Sequence, residues 1–174
     1  LSRRFATLQS TMAGGERLLE LLNTPGELRD YANANEMGPI LGAVRFDHVS
    51  FHYSDDPVLV LDQIQLDVNP GETVALVGET GAGKTTLVKL LARFHDATDG
   101  CVLIDGVDLR TVTQGSLRKQ MGMVLQDPFL FSGTVKENIL FGRLDAAEDE
   151  VIAAAKAVGA HDFISNLKNG YDSA

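Results

Sequence analysis

The chain has little of what marks a secreted or membrane-spanning protein. Among its 174 residues there is one cysteine, Cys101, so no disulfide can form within the chain and a reducing compartment is favoured. No apolar run approaches the ~18 residues that a membrane span requires, and no charged-then-apolar signal sequence opens the chain. We therefore expect this stretch to be soluble. Because it starts at Leu1 and not at a methionine, we interpret it as part of a longer polypeptide.

Basic residues are scarce relative to acidic ones. The chain has 15 Lys and Arg against 24 Asp and Glu, a formal net charge of -9. A negative overall field repels phosphate backbones, so we expect no nucleic-acid partner. Hydrophobic residues make up 44% and charged residues 22%, which is the balance of a globular domain with a sizeable core.

The first 42 residues differ in character from the rest. Apolar residues between positions 3 and 22 recur at spacings of three, four or seven, which predicts an amphipathic helix. Thr24-Pro25-Gly26 would end that helix, and the polar stretch from Glu27 to Gly42 is interpreted as a linker. We therefore divide the chain into a helix with its linker, residues 1–42, and a compact domain, residues 43–174.

Runs of apolar residues predict four strands in the first part of the compact domain, at residues 44–53, 58–68, 73–77 and 101–104. The alternation changes phase between Phe46 and Val49, which predicts a bulge there. The run at 73–77 is typical of a short buried strand. Asp105 follows the last of these strands and precedes a glycine, so we expect it in a turn.

The rest of the domain is predicted to be mostly helical. Leu87 to Phe94 carry apolar residues at helical spacing, residues 113–120 predict a short helix, and residues 123–125 predict one more strand. Asp145 and Glu148 have the spacing of a capping box and would begin a helix that ends at Gly159.

One glycine-rich segment carries the chemistry. Residues 78–85 read Gly-Glu-Thr-Gly-Ala-Gly-Lys-Thr and match the P-loop pattern, with an apolar strand before them and a helix after them. The glycines let backbone N–H groups point inward, and the helix adds its positive dipole end. We expect Lys84 to reach the β- and γ-phosphates of a nucleotide and Thr85 to supply an oxygen ligand to Mg²⁺. The loop alone does not define the reaction, because kinases, GTPases, motors and transporters share it.

Several segments, taken in their order along the chain, resemble the nucleotide-binding domain of ABC exporters. Residues 49–53 look like the strand whose aromatic residue stacks on adenine, which gives that role to Tyr53. Residues 124–127 look like the family's Q-loop, which implies that Gln126 contacts Mg²⁺ and the attacking water. Residues 129–139 are similar to the stretch that faces the coupling helices of exporters. The resemblance and the loop together give the expected ATP-binding residues Tyr53, Gly78, Glu79, Thr80, Gly81, Ala82, Gly83, Lys84, Thr85 and Thr86, with Lys84 and Gln126 as catalytic residues and Thr85 and Gln126 at the metal.

The resemblance implies an α/β P-loop NTPase fold of the ABC type, with an antiparallel β subdomain, truncated before the family's signature motif. A Walker B aspartate with a following glutamate, a Leu-Ser-Gly-Gly-Gln signature and a switch histidine are not found in the sequence. We therefore expect ATP hydrolysis by the full-length protein and negligible turnover by this stretch alone.

The amphipathic helix at the start is similar to the connection that follows the last transmembrane helix of exporters. This implies a transmembrane domain on the same polypeptide, a second nucleotide-binding domain in a homo- or heterodimer, and a position at the cytoplasmic face of a membrane. Two alternatives stay open. The first is a non-transporter ABC ATPase of DNA repair or chromosome maintenance, which the acidic charge disfavours. The second is an unrelated P-loop kinase or GTPase, and the lack of an Asn-Lys-x-Asp guanine motif argues against a GTPase.

Overall fold

The computed structural model describes residues 12, 15, 17–19, 28–127 and 129–174. Residues 12, 15 and 17–19 are helical, and most of the amphipathic helix predicted for residues 3–22 lies outside the described residues. The chain divides into two compact units, the first up to Gly122 and the second from Met123 to Ala174. Within the described part of the chain, no helix has the length and apolar character needed to cross a membrane.

An antiparallel sheet of four strands forms the centre of the first unit. Its strands are β1 (Val44–Phe51), β2 (Leu61–Val68), β3 (Asp99–Ile104) and β4 (Val107–Asp108). Their spatial order is β2-β1-β3-β4, and each neighbouring pair is antiparallel. This is the antiparallel β subdomain that the sequence predicts.

A bulge in β1 brings two successive apolar residues to the core. The register with β2 shifts between Phe46 and Val49, as predicted, and both side chains are buried. The bulge fixes the residue that faces it on β3, because a Cβ at Gly100 would lie 2.4 Å from the carbonyl oxygen of Asp47 and 2.3 Å from that of His48. Glycine is therefore required at position 100.

Two helices pack on the sheet. Helix α1 (Lys84–Leu91) and helix α2 (Gln114–Arg118) agree with the predicted helices, and the Thr113 side chain caps α2 by accepting a hydrogen bond from the backbone N–H of Ser116. A 3-10 turn, Leu109–Thr111, lies between β4 and α2. The core of the unit is formed by Phe46, Val49, Phe51, Leu61, Leu90, Val102, Ile104, Leu109 and Leu117.

The prediction of a buried strand over residues 73–77 is wrong. The segment has no strand assignment, and Val74, Leu76 and Val77 are 42%, 39% and 90% exposed. An extended segment becomes a strand only when its backbone N–H and C=O groups pair with a neighbour, and no such pairing of this segment occurs within the described ranges.

The second unit consists of helix α3 (Val135–Leu140), helix α4 (Glu148–Ala157), helix α5 (His161–Ser165) and a 3-10 turn, Gly170–Asp172. The strand predicted at residues 123–125 is absent from this described unit, and Val124 is 100% exposed. The same lack of a pairing partner explains this outcome.

The prediction of the residue that caps the start of α4 is wrong. The N-cap of helix α4 is Ala147 and not the predicted Asp145, and Glu150, in place of Glu148, reaches back to accept the backbone N–H of the N-cap at 3.0 Å. A complete capping box is found instead at α3, where Thr134 and Glu137 each accept the other's backbone N–H. The end of α4 next to Gly159, whose φ is 72°, agrees with the sequence.

Candidate nucleotide-binding site

The glycine-rich loop ends where helix α1 begins. The residue before the helix is Gly83, with a left-handed φ of 84°, and no side chain caps the first turn. The first N–H groups of a helix have no intrahelical partner, and the helix dipole is positive at this end. The start of α1 therefore presents uncapped amides of the kind that bind phosphate.

Gly83 also fixes the loop against the sheet. It is buried, and a Cβ at this position would lie 2.6 Å from Cδ2 of Leu61, the first residue of β2, and 3.0 Å from the carbonyl oxygen of Val60. Only glycine combines this close approach with a positive φ. The loop is thus fixed at Gly83 by its contact with the start of β2, whereas residues 78–82 are exposed.

Lys84 folds back across the loop. Its Nζ donates to the carbonyl oxygens of Gly78, at 2.8 Å, and of Glu79, at 2.7 Å. A lysine ammonium has three N–H donors, so these two bonds orient the group and leave one donor for an anion in the loop. The side chain that the sequence predicts at the terminal phosphates therefore spans the loop and does not extend into solvent.

The two threonines after Lys84 have different environments. Thr85 is exposed at the first turn of α1. Thr86 is 5% exposed, and its hydroxyl is 3.1 Å from the hydroxyl of Tyr53. The structure thus brings Tyr53 to the first turn of α1, directly after the loop, whereas the side chain of Thr86 is engaged within the protein and offers a ligand mainly its backbone N–H.

Tyr53 is held by aromatic neighbours. Its ring makes edge-on contacts with Phe51, at 5.0 Å between centroids, and with His95, at 5.3 Å. The ammonium of Lys89 on α1 lies 5.8 Å from the ring centroid. The ring is partly buried and has a defined orientation next to α1; its stacking on adenine stays a prediction.

Gln126 belongs to the second unit, where it is exposed. Its contacts with a metal and an attacking water stay a prediction. The described residues contain no group of three or more His, Cys, Asp or Glu side chains that could hold a metal by themselves. Mg²⁺ commonly binds through nucleotide phosphates with one or two protein oxygens, and the exposed Thr85 hydroxyl fits that arrangement.

Two charged residues outside the predicted site organise the same unit. Asp105 lies in the turn between β3 and β4, as expected, with a φ of 51°. Its carboxylate accepts the N–H groups of Ala43 at 2.8 Å, Leu41 at 2.6 Å and Gly42 at 3.1 Å, and these bonds hold the pKa of Asp105 below its ordinary value. Arg93, just after α1, is 1% exposed. Arg93 was not among the residues predicted to be functional, although the acidic residue three positions later, Asp96, was a signal of its pairing.

The loop, the sheet and the helix that starts at Lys84 define a P-loop nucleotide-binding domain. Comparison with known proteins gives its family: the sequence profile described as ABC transporter matches residues 61–171, more than half of the chain. The chain therefore belongs to the ABC transporter family.

Relatives of known sequence and structure include bacterial exporters. The chain is 49% identical over 173 residues to the uncharacterized ABC transporter ATP-binding protein YfiC of Bacillus subtilis, covering 99% of this chain and 28% of that protein. It is 50% identical over 167 residues to YgaD of the same organism, described as a candidate multidrug export ATP-binding/permease protein, covering 96% and 29%. The structure of a bacterial Atm1-family ABC exporter with ATP bound matches with a TM-score of 0.82 at 40% identity, covering 97% of this chain and 30% of that one. The chain thus spans less than a third of the length of these relatives.

Proposed function

We propose that this chain is the first part of the ATP-binding domain of an exporter in which ATP binding and hydrolysis drive transport across a membrane. The observation that carries the proposal is the loop at residues 78–85, with α1 starting at Lys84 and the Lys84 ammonium held across it. The names of YgaD and of the Atm1-family structure support export as the work that hydrolysis drives.

Each residue of the proposed site has its own role in binding ATP. The N–H groups of the loop and of the first turn of α1 would surround the phosphates, and Lys84 would contact the β- and γ-phosphates. Tyr53 would stack on the adenine ring, its own ring kept in place by Thr86, Phe51 and His95. Thr85 and Gln126 would be ligands of Mg²⁺, which supplies positive charge to offset the charge that develops on the transferred phosphoryl group.

The partners follow from the class of protein. We infer a transmembrane domain on the same polypeptide, because YgaD, at 50% identity, is described as an ATP-binding/permease protein and this chain covers 29% of it. We also infer a second nucleotide-binding domain and a position at the cytoplasmic face of the membrane.

The test uses the full-length protein reconstituted in lipid vesicles, with ATP hydrolysis and substrate uptake measured side by side. Lys84→Ala should lower hydrolysis by about 10²-fold or more, since it removes a cation from the phosphates, and uptake should fall with it. Lys119→Ala removes an exposed lysine after α2 and serves as the matched control. Hydrolysis that is unchanged in Lys84→Ala contradicts the proposed site, and ATP hydrolysis without ATP-dependent uptake of any compound in a drug and lipid panel contradicts the proposed exporter.

A further inference from the structure

Residues 28–43 are hydrogen-bonded to the rest of the first unit at both ends and in the middle, although their composition is that of a linker. We propose that this segment, called the strap here, ties the chain that leads into the domain to the end of helix α1, and that Arg93 is the positioning residue at which the two are joined. The inference rests on the proposed function in one respect, because α1 begins in the loop that is proposed to bind ATP.

The first attachment is the side chain of Arg93. This residue follows the end of α1, and its Nη1 bonds Asp30 of the strap at 3.2 Å while its Nε bonds Asp96 at 3.0 Å. Nη1 also donates to the backbone carbonyl of Val112. Because Arg93 is 1% exposed, water screens this guanidinium very little, and the carboxylates of Asp96 and Asp30 together compensate a charge that is otherwise costly to bury.

Asp30 joins a third element to the same point. Its carboxylate accepts the backbone N–H of Gln114, the first residue of α2, at 2.9 Å and the side-chain amide of Gln114 at 3.2 Å. The next strap residue, Tyr31, places its ring 5.9 Å from the Arg93 guanidinium carbon. One strap carboxylate therefore holds the end of α1 and the start of α2 together.

The middle of the strap pairs through its backbone. Asn35 forms a parallel bridge with Val112, in which the Asn35 N–H donates to Thr111 at 2.9 Å and its carbonyl accepts from Thr113 at 2.8 Å. The N–H of Met37 donates to the hydroxyl of Ser116 on α2 at 2.8 Å. Backbone bonds of this kind do not depend on the strap's side chains, which explains why a polar, linker-like composition still docks.

The far end of the strap is held by two more side chains. Gln120 accepts the N–H of Ile40 at 3.0 Å and donates to the carbonyl of Gly38 at 3.0 Å. Asp105 then binds the three consecutive N–H groups of residues 41–43. The strap thus contacts the domain at both ends and in the middle.

A mechanical consequence follows from this arrangement. If the proposed function is right, nucleotide binding acts on the first turn of α1, and the last turn of the same rigid helix is joined through Arg93 to the strap. We infer that a change in α1 on nucleotide binding reaches the strap through Arg93, and such a coupling is reciprocal. Nucleotide should therefore change the local stability of the strap, and loss of the Asp30 contact should abolish that change.

Hydrogen exchange of the full-length protein in lipid discs tests the inference, with mass spectrometry of peptides from the strap and from the loop. Measurements are made without nucleotide and with a non-hydrolysable ATP analogue and Mg²⁺. In the unaltered protein the strap amides should exchange slowly, and nucleotide should alter their rate. In Asp30→Asn, residues 28–37 should exchange about tenfold faster or more, since a charged partner of a buried guanidinium is lost, and the nucleotide-dependent change in the strap should vanish while protection of the loop by nucleotide persists.

Two further variants make the result specific. Asp67→Asn removes the carboxylate of an exposed ion pair, to Arg45 on β1, and should leave strap and loop exchange unchanged. Asp30→Glu keeps the carboxylate and should restore at least part of the slow exchange. Strap amides that exchange at free-chain rates in the unaltered protein, or equal exchange in Asp30→Asn and Asp67→Asn, would overturn the inference. Failure of nucleotide to protect the loop in any protein would instead contradict the proposed function, and the nucleotide-free rates would still decide whether the strap is docked at Asp30.

Discussion

Two parts of the first unit place apolar side chains in opposite environments. The sheet buries Val49 and Phe51 of β1, which are 0% and 4% exposed, whereas segment 73–77 leaves Val77 90% exposed. β1 has a hydrogen-bonded strand on each side, and segment 73–77 has none among the described residues. The difference shows that an apolar run becomes a buried strand only where a neighbour completes its hydrogen bonds and covers its side chains.

The unpaired segment still has a defined neighbourhood. Val74 and Leu76 border an apolar groove of about 220 Å³ whose other walls are the sheet, at Phe46 and Leu66, and helix α1, at Leu87. Exposed apolar segments of this kind are surfaces that pair with further structure or aggregate. The loop at residues 78–85 follows this exposed segment along the chain and leads into the packed helix α1. It therefore connects an exposed part of the unit with a buried part.

Gly83 lies at that junction, and substitution there should have the largest effect on stability. Gly83→Ala combines a left-handed φ with a 2.6 Å approach to Leu61, which predicts a loss of about 2 to 5 kcal/mol in the free energy of unfolding. Urea unfolding of the purified chain measures it. Gly115→Ala, in α2 with nothing within 4 Å of the added carbon, should be neutral or slightly stabilising; equal losses in both variants would contradict the account of the junction.

A pair of valines tests the comparison itself. Val49→Ala removes buried methyl groups from the sheet and should cost about 2 to 3 kcal/mol of unfolding free energy. Val77→Ala, at a 90% exposed side chain, should change it by less than about 0.5 kcal/mol. Both values come from the same unfolding experiment. A large loss of unfolding free energy in Val77→Ala would mean that segment 73–77 is covered in solution. It would contradict the difference in burial between this segment and β1.

In the second unit, the capping box at α3 should contribute a smaller amount. Thr134→Ala leaves the first N–H groups of α3 without their cap and should destabilise the helix by about 1 kcal/mol. Hydrogen exchange at Glu137 and its neighbours is the measurement. Thr73→Ala, in the exposed segment, removes a threonine that caps no helix and should leave exchange in α3 unaltered; faster exchange in both variants would argue against a local cap effect.

Acid should release one end of the strap without unfolding the sheet. The N–H bonds from Ala43, Leu41 and Gly42 lower the pKa of Asp105, so the stabilisation is fully present above the ordinary carboxylate pKa of about 3.9 and is lost as the pH falls through the lower folded value. An NMR titration should therefore show the amides of residues 41–43 shifting only below about pH 4. Asp105→Asn should abolish that acid transition. A transition between pH 5 and 7 that persists in this variant would contradict the assignment to Asp105.

Sequence patterns predicted the parts of the fold that depend on near neighbours. The P-loop, the start of α1, the bulge between Phe46 and Val49 and the turn at Asp105 each follow from a short run of residues, and the structure shows all four. Segment 73–77 failed because pairing is a non-local property. The same reason applies to the strap, whose partners lie more than 60 positions away in sequence.

The helix start after the glycine-rich loop was predicted from the sequence, and the roles of the loop residues in binding nucleotide stay predictions. Nothing in the sequence shows that Thr86 would bond Tyr53 and that His95 would pack against the same ring. The capping box of α3 could have been found, since Thr134 and Glu137 have the required spacing. Arg93 was harder to predict, because an arginine after a helix is usually solvated and its burial depends on the docking of Asp30.

Titration calorimetry of Mg-ATP into the purified chain tests the central claim most directly. The account predicts measurable binding to the unaltered chain and about 10- to 100-fold weaker binding to Lys84→Ala, since the lost charge-assisted hydrogen bonds are worth roughly 1.5 to 3 kcal/mol. Equal affinity of the two proteins for Mg-ATP would contradict it.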